Sequence, residues 1–173
     1  MLKQILMKEN IRIRLAGHDD ILIIQTLAYE IWPTAYKEIL SKEQLDYMLH
    51  LIYNSEAIIK QMDEYNHQFL LIENMDTPLG FASYNKLEEG IFKLQKLYVS
   101  PSTQGLGLGK ALLGKVRELV IKAGASELRL NVNKFNKARG FYEKEGFSIL
   151  SEEKIPIGNG YIMDDYVMYQ KLS

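Results

Sequence analysis

The sequence predicts an α/β protein whose mixed sheet is flanked by helices. Three observations carry that expectation. Alternating or uniformly apolar segments recur as strands, and amphipathic segments of helical period gather near the front of the chain. Residues 91–147 then read strand, helix, strand, helix, an order that packs helices onto a sheet. With 173 residues, 47% of them hydrophobic, the chain is long enough to bury a substantial core as one domain.

Residues 1–9 are expected to be a mobile lead-in, too poorly patterned for a signal peptide. Asn10 to Leu15 alternates apolar and basic residues, as a half-buried strand does. His18 to about Ile31 reads as a helix with Ile21, Ile24, Leu27, Ala28 and Ile31 on one face, and Pro33 is expected to stop it. Ser41 and Gln44 form a capping box for a second helix through Leu45, Met48 and Leu49. Ser55 is expected to cap a third, carrying Ile58, Ile59 and Met62.

Three strands follow at 68–73, 79–85 and 91–99, with Asp76, Pro78 and Gly90 in the turns. The next helix sets Leu108, Leu112, Val116, Leu119, Val120 and Ala123 in one stripe and ends at Gly124. Leu128, Leu130 and Val132 alternate along a strand, and Asn136 opens a short helix to about Glu145. The chain closes as a hairpin, 147–157 and 161–172, turned through Gly158-Asn159-Gly160.

Composition excludes several classes. A net charge of −1 with no basic stripe argues against a nucleic-acid partner. Without cysteine there is no disulfide, zinc–thiolate site or cysteine nucleophile. No apolar run approaches the ~18–20 residues of a membrane span, so the cytoplasm is the expected address. His18, His50 and His67 share no ligand spacing, and no metal is implied.

The chemistry concentrates in Gln104-Gly105-Leu106-Gly107-Leu108-Gly109-Lys110, a glycine-rich loop between a strand and a helix. Glycine exposes backbone N–H groups and accepts positive φ, and the helix behind adds unpaired donors and partial positive charge. Such a junction seats a phosphate or pyrophosphate. A nucleotide P-loop would need glycine and a hydroxyl residue where Gln104 and Ala111 stand. A dinucleotide fingerprint would need glycine at Lys110 and an acidic residue ending the next strand, whereas Glu127 begins it. An acyl-CoA pyrophosphate loop has no such conflict.

Gln104 to Gly109 is similar to the Gln/Arg-x-x-Gly-x-Gly/Ala signature of the GNAT (Gcn5-related) N-acetyltransferase superfamily. The strand Lys96 to Pro101 resembles its central strand, and Ala138-x-x-x-Tyr142-Glu143-Lys144-x-Gly146-Phe147 resembles its second signature. The likeness spans 91–147, with both signatures in order. It implies the GNAT (acyl-CoA N-acyltransferase) fold, a mostly antiparallel mixed sheet of about seven strands. It also implies acetyl-CoA as cosubstrate, direct transfer to a primary amine in a ternary complex, and by analogy a homodimer. The front loop and the chain's ending look like bacterial small-molecule members near the polyamine acetyltransferases.

Further roles follow from the resemblance. Strands 91–99 and 127–133 would splay after Pro101, with pantetheine bonded to the backbone of Leu97, Tyr98 and Val99. The N–H groups of Gly105, Leu106, Gly107, Leu108, Gly109 and Lys110 would receive the pyrophosphate. Lys110 either adds a charge contact or is a solvated lysine; Gln104 either closes the loop or stabilises the turn. Asn136 caps its helix and could touch pantetheine, and Asn131 faces the gap. Tyr142 matches the family's general acid, although Ala138, Phe141 and Tyr142 also share a face suited to a core.

The central strand carries Lys93, Gln95 and Lys96 where many relatives have a catalytic glutamate. Glu73, Glu30, Asp164 and Asp165 are the candidate bases, each also readable as a surface carboxylate, and binding of the neutral amine is the alternative. Trp32 and Tyr36 could wall an acceptor site for a cationic or apolar amine. A catalytically silent acyl-CoA-binding module is the rival reading.

Overall fold

A computed structural model describes residues 10–172. The expected lead-in at 1–9 lies outside the described residues. Strand β1 (Ile11–Ala16) leads through a 3-10 turn at His18–Asp20 into α1 (Ile21–Ala35), α2 (Lys42–Tyr53) and α3 (Ser55–Asp63). Strands β2 (Gln68–Asn74), β3 (Thr77–Glu88) and β4 (Ile91–Val99) precede α4 (Leu108–Lys122), β5 (Glu127–Asn133) and α5 (Ala138–Lys144). The hairpin β6 (Ser148–Gly158) and β7 (Tyr161–Lys171) closes the chain.

Among the described residues the sheet has seven strands in the order β1-β2-β3-β4-β5-β7-β6. Only β4 and β5 run parallel, joined by the crossover through α4; the other pairs are antiparallel. Each face carries a buried cluster. One packs Leu112, Leu113, Val116 and Val120 of α4 against Phe92, Leu94, Leu128 and Leu130. The other packs Ile24, Leu27, Ile31 and Trp32 of α1 with Tyr53, Ile58 and Phe69. Burial of large side chains at about 1.5–3 kcal/mol each drives this two-sided assembly. No helix among the described residues is long and apolar enough to cross a membrane.

Several local expectations are corrected. Pro33 sits inside α1, which continues to Ala35; the ring removes only the N–H that would bond the Tyr29 carbonyl, and Tyr36 N–H still reaches Trp32 O at 3.0 Å. The segment 18–20 is a 3-10 turn rather than α-helix. Ser41 accepts from Gln44 N–H at 3.1 Å, but the Gln44 side chain turns to Met48, so only half the capping box forms. Asn54, not Ser55, caps α3, accepting from Ala57 N–H at 2.8 Å. Pro78 lies within β3 beyond the turn, Ala123 is exposed, and Leu113 joins the buried stripe of α4.

One irregularity in β4 organises everything that follows. Ser83 pairs with Lys96 and Tyr84 with Leu94, leaving Gln95 as an extra residue. This bulge reverses the strand's alternation. Phe92, Leu94, Leu97 and Val99 contribute to the α4 cluster, whereas Tyr98 packs in the α1 cluster and Lys96 lies over the Phe69 ring.

Candidate active site

The parallel ladder between β4 and β5 stops at Leu94↔Leu130. On its other edge β4 stays paired with β3 through Val99↔Gly80, and β5 stays paired with β7 through Asn133↔Asp165. The two strands therefore part inside their own length, well before Pro101 where the splay was expected. The bulge at Gln95 begins immediately beyond the last pair, and bulges increase local twist and bend the strand that bears them.

A cavity of about 350 Å³ fills this gap. Leu97 and Tyr98 of β4 and Asn131 of β5 line it, with Asn136 and Tyr142 beyond them and Trp32 and Tyr36 on the α1 side. Val99 and residues 104–110 are not on its wall.

The glycine loop lies at the strand-to-helix junction. Gln104 and Leu106 N–H groups close short turns onto Pro101 and Thr103 carbonyls at 3.2 Å. Leu106 and Leu108 pack into the α4 cluster, which leaves the alternate glycines facing outward. Gly105 has φ 83° and Gly107, the N-cap of α4, has φ 79°. Among the described residues, the N–H groups of Gly105, Gly107, Leu108, Gly109 and Lys110 find no backbone acceptor, as expected where a helix starts. Among the described residues, nothing beyond the adjoining residues lies within 4 Å of where a Cβ on Gly105 or Gly107 would stand, so an anion can approach the backbone. Gly109 meets the Phe141 ring at 3.8 Å by the same construction, bringing α5 beside the loop. Lys110 Nζ is 3.5 Å from Glu145, and Gln104 is exposed.

Tyr142 is 8% exposed and stands edge-on to Phe141 and Phe147 at 5.2 and 5.8 Å. It is both a core residue and a cavity residue. Burial pushes its phenol above the ordinary range, so its hydroxyl stays protonated. Lys137, not Asn136, is the N-cap of α5; Asn136 stands one residue earlier and accepts from Ala138 N–H at 2.9 Å.

The Trp32 and Tyr36 rings lie 4.6 Å apart, tilted by 43°, and the Tyr36 hydroxyl meets that of Tyr98 at 2.9 Å. The aromatic wall is thus extended by Tyr98 and by Tyr53, whose ring is 5.4 Å from Trp32. The Tyr53 contribution was missed in sequence, because a tyrosine closing a helix carries no distinguishing signal.

The candidate bases separate cleanly. Glu73 is held by Arg12 and Arg14 at 2.9 Å and lies off the cavity. Glu30 is exposed and accepts from Ser100 Oγ, and Asp164 pairs with Lys134. Asp165 alone lines the cavity, and burial raises its carboxyl above the usual range. Lys96 also lines the cavity. Its ammonium donates to Gln61 at 2.6 Å between the Tyr53 and Phe69 rings, and burial lowers its pKa to about 7. The alternation of β4 before the bulge would set Lys96 beside Phe92 and Leu94 on the α4 face, so it gave no hint that Lys96 turns toward α1.

Comparison with known proteins gives a consistent picture. A family model described as "Acetyltransferase (GNAT) domain" matches residues 36–162. The chain is 26% identical over 160 residues to a spermidine N(1)-acetyltransferase of Thermoplasma acidophilum, covering 90% of this chain and 96% of that one. The crystal structure of the PaiA N-acetyltransferase from Thermoplasma acidophilum in complex with coenzyme A superposes with a TM-score of 0.80 at 26% identity, covering 94% and 99% of the two chains. A GCN5-related N-acetyltransferase from Rhodopseudomonas palustris shares the fold with a TM-score of 0.79 at 20% identity, over 93% and 95%.

Proposed function

The chain belongs to the GNAT acetyltransferase family, and from that premise we propose that it moves acetyl from acetyl-CoA to a small primary amine by direct attack in a ternary complex. It is an acyltransferase by family; the acceptor and the residue roles are our reading. The observation that carries it is the parting of β4 and β5 after Leu94↔Leu130, which frees two facing strand edges. Pantetheine, an amide chain, fits such a gap as an added strand through the backbone of Leu97, Tyr98 and Val99. The unpaired N–H groups of Gly105 and Gly107–Lys110 suit the pyrophosphate, and the open space above both glycines lets it approach.

Tyr142 is assigned to the leaving sulfur. A thiol's pKa is near ~8.5, below that of even an unperturbed phenol, and burial raises Tyr142 further, so full proton transfer to the thiolate is uphill. The hydroxyl therefore works as a hydrogen-bond donor to charge developing on sulfur. Asn131 and Asn136 orient the pantetheine amides, while Trp32, Tyr36 and Tyr98 face the acceptor with aromatic surface suited to a cation. A polyamine-like acceptor is supported by the likeness to a spermidine acetyltransferase. A cytoplasmic homodimer completes the reading, and sedimentation checks the assembly.

The test is to incubate the purified protein with acetyl-CoA and spermidine, beside a panel of primary amines, and to follow thiol release and acetylated product. Transfer to an amine is expected. Coenzyme binding without transfer to any of them would leave a silent acyl-CoA module instead.

A further inference from the structure

Resting on the transfer reaction above, we propose that Asp165 is the carboxylate that seats the acceptor's ammonium in the cleft and takes the proton the amine must lose before it attacks. Asp165 stands on β7 directly opposite Asn133, at the last pair of the β5 wall. It is 6% exposed. Among the described residues its Oδ1, sealed from solvent, meets no donor, and its Oδ2 has only Asn131 Nδ2 at 3.5 Å. A buried carboxylate in that condition carries an uncompensated desolvation penalty. The other buried or half-buried candidates are neutralised: Glu73 by two arginines, Asp164 by Lys134. Among the described residues no arginine or lysine lies within ion-pair distance of Asp165. The cavity thus contains one under-coordinated anion, and an alkylammonium supplies both the charge and the donors it lacks.

The groups around it sharpen the assignment. Lys93 of β4 attracts the carboxylate, while Glu153 of β6 and, least of all, its neighbour Asp164 repel it. Asn131 of β5 and Tyr36, the C-cap of α1, complete the surroundings, and the Asp165 charge adds to the burial that raises the Tyr36 phenol. Burial lifts Asp165 itself toward neutrality, which improves a carboxylate as a proton acceptor. Since β4 presents Gln95 and Lys96 to the cleft, the carboxylate enters from the opposite wall.

The steps balance. The ammonium nitrogen gives one proton to Asp165, and its lone pair then bonds the thioester carbonyl carbon. As the carbon–sulfur bond breaks, the electron pair leaves on sulfur, held by the Tyr142 hydroxyl. The nitrogen's surplus proton neutralises the thiolate, and Asp165 releases its own proton to water. Acetylated amine, thiol and one proton replace ammonium and thioester.

The experiment compares wild type, Asp165→Asn, Asp165→Glu and Asp164→Asn, using spermidine or whichever panel amine the wild type acetylates best. Asp165→Asn is expected to lower kcat/KM for the amine about 100-fold or more near neutral pH, the loss shrinking as the pH approaches the amine's own pKa of ~10. Its Kd for coenzyme A should stay within about twofold, Asp165→Glu should retain more activity than Asp165→Asn, and Asp164→Asn should stay within about threefold of wild type. Asp165→Asn within about threefold of wild type at every pH would overturn the assignment, as would a loss equal at every pH or a loss of coenzyme binding. A wild type that acetylates no amine would instead overturn the transfer reading beneath it.

Discussion

The Tyr36 and Tyr98 hydroxyls meet at 2.9 Å, tying the end of α1 to the strand that borders the cleft. The contact depends on the Gln95 bulge, because without that extra residue Tyr98 would face α4. Tyr36→Phe leaves the Tyr98 hydroxyl without this partner and is expected to cost about 1–2 kcal/mol of stability. In kinetics it should raise the acceptor's KM with little effect on coenzyme affinity. Thermal unfolding and steady-state assays read the two effects separately.

Tyr142→Phe keeps the ring that packs on Phe141 and Phe147 and removes only the hydroxyl. Coenzyme binding should persist while kcat falls by about 10²–10⁴-fold. Unchanged turnover would return Tyr142 to a purely packing role.

Gly107→Val places a β-branched residue at φ 79° on the cap of α4. The strain is about 1–2 kcal/mol, and the branched side chain also covers the approach to the loop's N–H groups. Coenzyme A affinity measured by calorimetry should drop at least about tenfold, well beyond the effect of a comparable change at Gly114, which has open space and negative φ.

Lys96 predicts a pH signature. Its pKa is about 7 in the fold against an ordinary 10.5, so the unfolded chain binds more protons between those values. Stability therefore rises with pH across that window, and the full penalty applies below it. Lys96→Met should flatten the dependence, gaining a few kcal/mol relative to wild type as the pH falls from about 10.5 to 7. Denaturant titrations at three pH values measure the slope, which is independent of any fixed loss from the Gln61 contact.

Local patterns made most of the architecture legible. The alternating or uniformly apolar runs of β1 to β5, the Ser41 cap and the Gly-Asn-Gly turn each act over a few residues. So did the loop's outward glycines, since Leu106 and Leu108 between them announce which side faces the core. The cleft's acceptor half was less legible. It depends on one unpaired residue, Gln95, that reverses which side chains of β4 face α1. Pairing register is a tertiary property, so neither the turn of Lys96 toward α1 nor the early parting at Leu94 could be read from the strand alone. Asp165 was indistinguishable from Asp164 in sequence. The pleat separates them, sending Asp164 to Lys134 and Asp165 to the cavity.

The most direct test follows backbone amide resonances of the labelled protein while coenzyme A is added. Saturable shifts at Gly105 and Gly107–Lys110, together with residues 95–99 of β4, are the predicted result. Shifts confined to another surface, or none at concentrations that saturate other acyl-CoA enzymes, would contradict the placement of the coenzyme between β4 and β5.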